Sequence, residues 1–149
     1  GGMKKILPII TSALIFIAFI ACEQQPSEQA RAKVLDFVKA LGSEGSIDLD
    51  QYLAINELVR ENAESVYIYN DSLSISKNIE KYRELFEPDG KVRRLWTQKQ
   101  IIVGDSEVRG DTAYVEVSFV DREDNTQFYN KMGLKRTQDG WRIFAFKLL

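Results

Sequence analysis

Few side chains in this 149-residue sequence could carry chemistry, because it contains no histidine and a single cysteine, Cys22. Histidine titrates near neutral pH and is the commonest protein ligand of metals, and thiolate chemistry needs a free cysteine. A histidine-based catalytic triad and a histidine metal site are therefore excluded. Carboxylates and tyrosines remain as candidate acids and bases.

Cys22 lies where an apolar run meets a polar segment. Lys4 and Lys5 precede sixteen uncharged residues, 6–21, which end in a small alanine directly before the cysteine. This order of basic, apolar and small residues is typical of a secretory signal. A retained transmembrane helix is the alternative. It needs about 20 apolar residues, whereas this run is shorter and contains Pro8. We therefore predict a signal peptide over residues 3–21, leaving out Gly1 and Gly2, which precede Met3.

The four residues Phe19-Ile20-Ala21-Cys22 resemble the lipobox of bacterial lipoprotein signals, with phenylalanine where leucine is usual. The resemblance implies that the Cys22 sulfur carries a diacylglyceryl group and that cleavage makes Cys22 the new N-terminus. Each buried methylene contributes about 0.8 kcal/mol, and stable anchoring needs more than one acyl chain. We expect Cys22 to be a lipid anchor and not a nucleophile, a metal ligand or half of a disulfide.

The chain from Cys22 to Leu149 has 128 residues, the length of one domain. Without Lys4 and Lys5 it has 18 basic residues against 22 acidic ones, a net charge of −4. A mildly acidic domain without a basic cluster argues against nucleic-acid binding. We expect residues 22–28 to form a lipidated tether and residues 29–149 to form the domain.

Asn130 is the polar residue whose position is most unusual, because it interrupts an apolar row between Phe128 and Met132. It either bonds a backbone group or a buried water, or it is the polar handle of a ligand pocket. The candidate aromatic walls of such a pocket are Tyr52, Tyr82 and Trp96, which are also spaced as core residues. Asp105 and Glu107 fall on the strand face away from the core, so no catalytic residue is predicted.

Three helices are predicted in the first part of the domain. The first runs from Ser27 to Leu41 and the second from Asp48, with Asp48 and Gln51 as a capping box, to about Asn62. The third runs from about Ser74 to Phe86. Residues 65–70 are either a short strand or an extended link.

From Val92 onward the apolar residues alternate, which predicts strands. Residues 112–121 place Ala113, Val115, Val117 and Phe119 on one face. If residues 122–125 form a four-residue loop, these four residues lie opposite Leu134, Met132, Asn130 and Phe128 respectively, and Glu116 lies opposite Lys131. Such cross-strand pairs contribute about 0.2–1 kcal/mol each, and a slip of one residue would lose them all.

The two other turns complete a four-stranded meander. A turn at Gly110 and Asp111 places Val108 opposite Ala113 and Ile102 opposite Phe119. A three-residue loop over residues 138–140 pairs Leu134 with Phe144 and Met132 with Phe146, whereas a two-residue turn at residues 139–140 would place Met132 opposite Lys147. We choose the three-residue loop. The outer face then carries four large side chains: Tyr114, Tyr129, Trp141 and Ile143.

The predicted fold class is α+β, with three N-terminal helices packed on a curved four-stranded antiparallel meander. The strand start "GDTAYVEV" (110–117) and the ending "DGWRI" (139–143) resemble the nuclear-transport-factor-2-like (cystatin-like) superfamily, and with the lipobox they resemble uncharacterised Gram-negative lipoproteins. The resemblance implies a cone-like domain that holds a small molecule, a peptide or nothing, and that often dimerises through the outer face of its sheet.

We therefore expect a lipid-anchored protein of the bacterial cell envelope, without cofactor or metal. Its domain would bind a small, mostly apolar ligand or a protein partner. Two alternatives remain open: a small cone enzyme that uses tyrosine and carboxylate groups, and an accessory subunit that docks, or forms a homodimer, through the outer sheet face.

Overall fold

The computed structural model describes residues 24–61 and 75–147. The predicted signal peptide, Cys22 and the segment 65–70 lie outside the described residues. Within them, the chain forms four α-helices followed by one antiparallel sheet, which confirms the α+β class. The helices are α1 (Pro26–Leu41), α2 (Ile55–Glu61), α3 (Ile75–Glu84) and α4 (Lys91–Thr97), with a 3-10 turn at Leu49–Gln51. The strands are β1 (Lys99–Arg109), β2 (Thr112–Asp121), β3 (Gln127–Thr137) and β4 (Gly140–Ala145).

Helix α1 is the prediction that the structure confirms most closely. It begins with Pro26 in its first turn, where a missing N–H costs nothing, and its last residue precedes Gly42. Four of its residues recur at helical spacing and are buried against the sheet: Ala30, Val34, Phe37 and Leu41. This face packs against β1, β2 and β4.

The predicted second helix is wrong in its first half. The Asp48 side chain accepts a hydrogen bond from the Asp50 N–H at 3.3 Å, and the chain makes only a 3-10 turn before α2 begins at Ile55. The intervening backbone pairs with β4: the Ile143 N–H donates to the Tyr52 carbonyl, and the Ala54 N–H donates to the Ile143 carbonyl, both at 2.8 Å. Because the backbone of residues 52–54 is hydrogen-bonded to β4, these residues cannot continue a helix.

Helix α4 was not predicted, since alternation was expected from Val92 onward. The buried residues Val92, Arg93 and Trp96 instead follow helical spacing. The helix starts after Gly90, where a β-carbon would collide with the backbone carbonyls of Glu84 and Leu85. Glycine therefore permits the chain to fold back closely on the end of α3.

Arg93 joins the helices to one another, although it is a charged residue with only 3% of its surface exposed. Its Nε donates to the Leu41 carbonyl at 3.0 Å, one Nη to the Phe86 carbonyl at 3.3 Å and the other to the Ser43 carbonyl at 2.7 Å. Leu41 is the last residue of α1, where unpaired carbonyls give the helix end a partial negative charge. The guanidinium therefore accounts for carbonyl groups at the end of α1 and after α3, and it joins these two parts of the chain to α4.

The sheet has the strand order β1-β2-β3-β4. Between β2 and β3 every predicted pair is confirmed, from Ala113 opposite Leu134 to Phe119 opposite Phe128. The Asp121 N–H donates to the Thr126 carbonyl at 2.9 Å and closes the predicted four-residue loop. The inner-face residues of β2 are buried, as expected. Phe128 is an exception on β3: it is 40% exposed, because it lies at the end of the sheet.

A β-bulge in β1 corrects the predicted position of Ile102. Val108 lies opposite Ala113 as predicted, but one extra residue stands in β1 between Val103 and Ser106. Beyond this bulge Ile102 lies opposite Ser118 and not opposite Phe119. When residues are counted back from the β1–β2 turn, the extra residue reverses the face of every residue beyond the bulge. Ile102 is therefore on the outer face and 46% exposed.

The register between β3 and β4 differs from the prediction for a similar reason. The turn has two residues, 138–139, with Gly140 at φ 104° opposite Thr137, so that Leu134 faces Ile143 and not Phe144. The outer-face positions predicted for Trp141 and Ile143 are therefore wrong: both side chains are buried. An irregularity after Ile143 shifts the register by one residue. Phe146 is buried beyond it.

Candidate functional site

The predicted aromatic walls lie in one cluster inside the domain. Phe37 contacts Tyr52 with ring centroids 5.6 Å apart and Trp96 at 6.3 Å, and Tyr82 joins them through Phe86 at 5.5 Å. Tyr82 and Trp96 are fully buried. Four phenylalanine rings surround the Trp96 indole: Phe37, Phe86, Phe119 and Phe146. These contacts are those of a packed aromatic core.

Asn130 is buried, and its amide is engaged by the backbone of Lys147. The Asn130 Nδ2 donates to the Lys147 carbonyl at 2.7 Å, and the Lys147 N–H donates to the Asn130 Oδ1 at 3.1 Å. The structure therefore brings Tyr52, Tyr82 and Trp96 into one cluster, whereas the described contacts of the Asn130 amide are to the backbone of Lys147. Both oxygen and nitrogen of the amide are used in this way.

A shallow depression lies beside Trp96, with a volume of about 310 Å³. Its apolar lining comes from α1 and β1 as well as from the indole, and two cationic residues, Lys99 and Arg122, also line it. Among the described residues, the Trp96 Nε1–H is a buried donor without a hydrogen-bond acceptor. This donor is the feature that sequence reasoning had no means to detect, because it depends on which rings surround the indole.

The strand carboxylates lie where they were predicted, on the exposed side of β1. Arg109 donates to Glu107 at 3.0 Å and 3.2 Å, and these hydrogen bonds, together with the charge of Arg109, hold the pKa of Glu107 below its usual value. A lowered pKa makes a carboxylate a weaker base at neutral pH. Within residues 24–61 and 75–147, no cluster of three or more acidic residues could hold a metal ion.

The outer face of the sheet carries two exposed apolar residues with a serine between them. Ile102 on β1 lies opposite Ser118 on β2, and Ser118 lies opposite Tyr129 on β3. We call these three residues the outer-face row. Ile102 is 46% exposed and Tyr129 is 70% exposed, which makes them two of the three large apolar residues that are exposed in the described chain.

Polar residues border the outer-face row on both sides. The next cross-strand row toward the β2–β3 loop contains Gln100 and Gln127 with the half-buried Val120 between them, and the Tyr129 hydroxyl donates to Gln127 at 2.8 Å. On the other side, Glu116 lies opposite Lys131. An apolar centre with a polar rim is the usual anatomy of a protein interface, in which tyrosine is enriched. Sequence reasoning identified Tyr129 but missed Ile102, because the bulge cannot be read from alternation.

Among the helices described, none has the length and apolar character required to span a bilayer.

No protein-family model matches the sequence, and no curated protein matches it either. A solved structure that is similar is one chain of the crystal structure of the selenomethionine form of the type VI effector–immunity complex Tae3–Tai3 from Ralstonia pickettii. The two chains are 21% identical, the match covers 83% of this chain and 95% of that chain, and the TM-score is 0.41. A likeness at this level carries no argument about function.

Proposed function

We propose that this protein is a lipid-anchored component of the bacterial cell envelope whose α+β domain binds a protein partner through the outer-face row. The observation that carries the binding role is the exposure of Ile102 and Tyr129 on the same face of the sheet, on either side of Ser118. Apolar side chains grouped at a solvated surface cost free energy unless another surface covers them.

The anchor is inferred from the lipobox-like residues 19–22 and from the apolar run before them. The element order of the domain, helices first and then a meander, supports membership of the nuclear-transport-factor-2-like superfamily as a further part of the proposal. Catalysis is the weaker alternative, because the candidate carboxylate Glu107 is paired with Arg109 and its pKa is lowered.

Expression of the full chain with its own signal tests the anchor. The protein should fractionate with membranes, and Cys22→Ser should release it or leave it unprocessed. Mass spectrometry of the mature protein should find a diacylglyceryl group on the N-terminal cysteine. An unmodified thiol at Cys22 in mature protein would contradict the proposal.

The binding role is tested by comparing two neighbouring aromatic residues on opposite faces of β3. Tyr129→Ser should abolish co-purification of a partner from the source envelope, whereas Phe128→Ser should retain it. Both variants should remain folded, as judged by circular dichroism, because both side chains are substantially exposed. Equal loss in the two variants, or retention in both, would contradict binding through the outer-face row.

A second candidate function is the binding of a small, mostly apolar ligand beside Trp96. The apolar lining of the depression and the exposed cationic residue Arg122 at its side favour a mostly apolar ligand with an acidic group. Native mass spectrometry of protein purified from its source envelope tests this function. A ligand that is retained by the unmodified protein and lost in Arg122→Ala would support it, and the absence of any bound molecule would contradict it.

A further inference from the structure

The first turn of α1 is fixed to the middle of β1. The Ser106 hydroxyl donates to the Ser27 carbonyl at 2.8 Å. Arg31 donates through Nε to the Gly104 carbonyl and through Nη2 to the Val103 carbonyl, both at 2.9 Å. The two hydrogen bonds of Arg31 reach carbonyl groups of the β1 bulge. The point where the polypeptide enters the domain is therefore held at the β1 edge of the sheet.

The proposed anchor lies very close to this point along the chain. Only three residue steps separate Cys22 from Gln25, the residue that precedes α1. Fully extended, three steps span at most about 11 Å. If Cys22 carries the lipid, as the proposed function requires, the start of α1 and the middle of β1 lie close to the bilayer.

The outer-face row starts at this same edge. Ile102 is four residues from Ser106 along β1, about 13 Å, and Tyr129 is two strands away, about 10 Å. Adding the reach of the tether places the whole row within about 40 Å of the bilayer surface. That distance is similar to the diameter of a small folded domain.

The bilayer itself is a poor occupant of the row. Exposed acidic residues stand beside the tether, Glu28 on α1 and Asp105 on β1, whereas Glu107 is paired with Arg109. The chain from Cys22 onward has a net charge of −4. Anionic lipid headgroups attract basic segments and repel acidic ones. The β1 edge should therefore stand close to the lipid surface without lying flat on it.

The small size of the row says more about its partner. The apolar part of the outer-face row consists of two large side chains with Ser118 between them, so its burial contributes little free energy to a complex between two freely diffusing proteins. Confinement of both proteins to one membrane raises their effective concentration and compensates for a weak interface. We infer that the outer-face row docks on a second protein that is held in the same membrane.

Site-specific photo-crosslinking in cells tests this inference. A benzophenone amino acid is placed at position 129 in the full chain with its own signal, and at the exposed position Lys39 as a control. We expect an adduct with a membrane-fraction protein from position 129 and not from position 39. Inserting twenty Gly/Ser residues between Gln24 and Gln25 should lower the yield several-fold, because the effective concentration falls with tether length.

The outcomes separate this inference from the proposed function. An adduct with a soluble envelope protein, or one that is insensitive to tether length, would overturn the membrane-held partner and leave protein binding intact. An adduct with lipid alone, or no adduct at position 129 in protein shown by mass spectrometry to be lipidated, would overturn both. Loss of lipidation is read independently from the mass of the Cys22 peptide.

Discussion

The side-chain amide of Asn130 pairs with both backbone groups of Lys147, donating to the carbonyl at 2.7 Å and accepting from the N–H at 3.1 Å. Strand β4 ends at Ala145, so the backbone of β4 no longer accompanies β3 at this level. The amide replaces the missing neighbour, because it offers one donor and one acceptor as a peptide group does. This pairing accounts for a polar residue in an apolar row.

The first prediction follows from this pairing. Asn130→Leu leaves the N–H and carbonyl of Lys147 without their partners and should lower the free energy of unfolding by about 1–3 kcal/mol. Urea denaturation measures the change. Lys147→Ala is the control, since it keeps the backbone groups and should cost less than about 0.5 kcal/mol. Undiminished stability in Asn130→Leu would show that the amide serves a ligand instead.

The second prediction concerns two phenylalanines that face each other across β2 and β3. Phe119 is buried against Trp96, with ring centroids 5.0 Å apart, so Phe119→Ala should cost about 3–5 kcal/mol. Phe128 is 40% exposed, so Phe128→Ala should cost less than about 1.5 kcal/mol. Thermal or urea unfolding of the two variants measures the difference. Equal losses would mean that Phe128 is covered in solution.

The third prediction tests the guanidinium that joins the helices. Arg93→Lys keeps the charge but loses the planar fork that reaches Leu41, Ser43 and Phe86 together. It should destabilise the fold by at least about 2 kcal/mol, because buried carbonyls are left unpaired. Arg94→Lys is the matched control on the exposed side of the same helix and should change stability by less than about 0.5 kcal/mol. Similar effects in the two variants would contradict the assigned role.

The fourth prediction concerns the loss of folding stability at acidic pH. Hydrogen bonds from Thr126 lower the pKa of Asp124, and the hydrogen bond and charge of Arg109 lower the pKa of Glu107. A carboxylate whose pKa is lower in the folded protein binds fewer protons there than when unfolded. Its contribution is complete above the unfolded values, about 3.9 for Asp and 4.3 for Glu, and is lost as the pH falls through the lowered folded values.

Urea midpoints measured from pH 7 to pH 3 test this dependence. The unmodified protein should lose stability below about pH 4.5, and a variant with Asp124→Asn and Glu107→Gln should lose less over the same interval. Salt screens the exposed Glu107–Arg109 pair, so the part of the difference that comes from Glu107 should shrink in high salt. An identical pH profile for the two proteins would contradict the prediction.

The fold could be predicted from the sequence where its periodicity is regular. Helix α1 shows an uninterrupted helical spacing of apolar residues, and β2 alternates strictly, so that its pairing with β3 followed from one loop length. Both signals are local and repeat over ten or more residues. They were sufficient for the α+β class and for the order of helices before strands.

The errors occur where a single residue changes the pattern. The extra residue in β1 moves Ile102 to the outer face, and the two-residue turn at 138–139, one residue shorter than predicted, places Trp141 on the inner face. Helix α4 is only seven residues long and was hidden by the expectation of strands. Tertiary contacts decide these features, such as the hydrogen bonds from Arg31 to the β1 bulge, and alternation alone carries no trace of them.

The candidate site residues could likewise be predicted only where they interrupt a regular pattern. Asn130 was recognised as anomalous because it interrupts a pattern, and the structure supplies a partner that lies seventeen residues away. Arg93 stands beside Arg94 in the sequence, so nothing distinguishes the buried cation from the exposed one until α4 is recognised as a helix. The outer-face row depends on the bulge and could be predicted only in part, through Tyr129.

The bonds of Arg93 also have a consequence for how the domain opens. A seven-residue helix such as α4 is too short to persist by itself in water. The guanidinium of Arg93 in α4 is bound to the end of α1 and to the segment after α3. Separation of one of these elements would therefore expose polar groups on the other two. The helical layer should thus unfold as one cooperative unit, and backbone amides of α4 should exchange with solvent at the rate of those in α1.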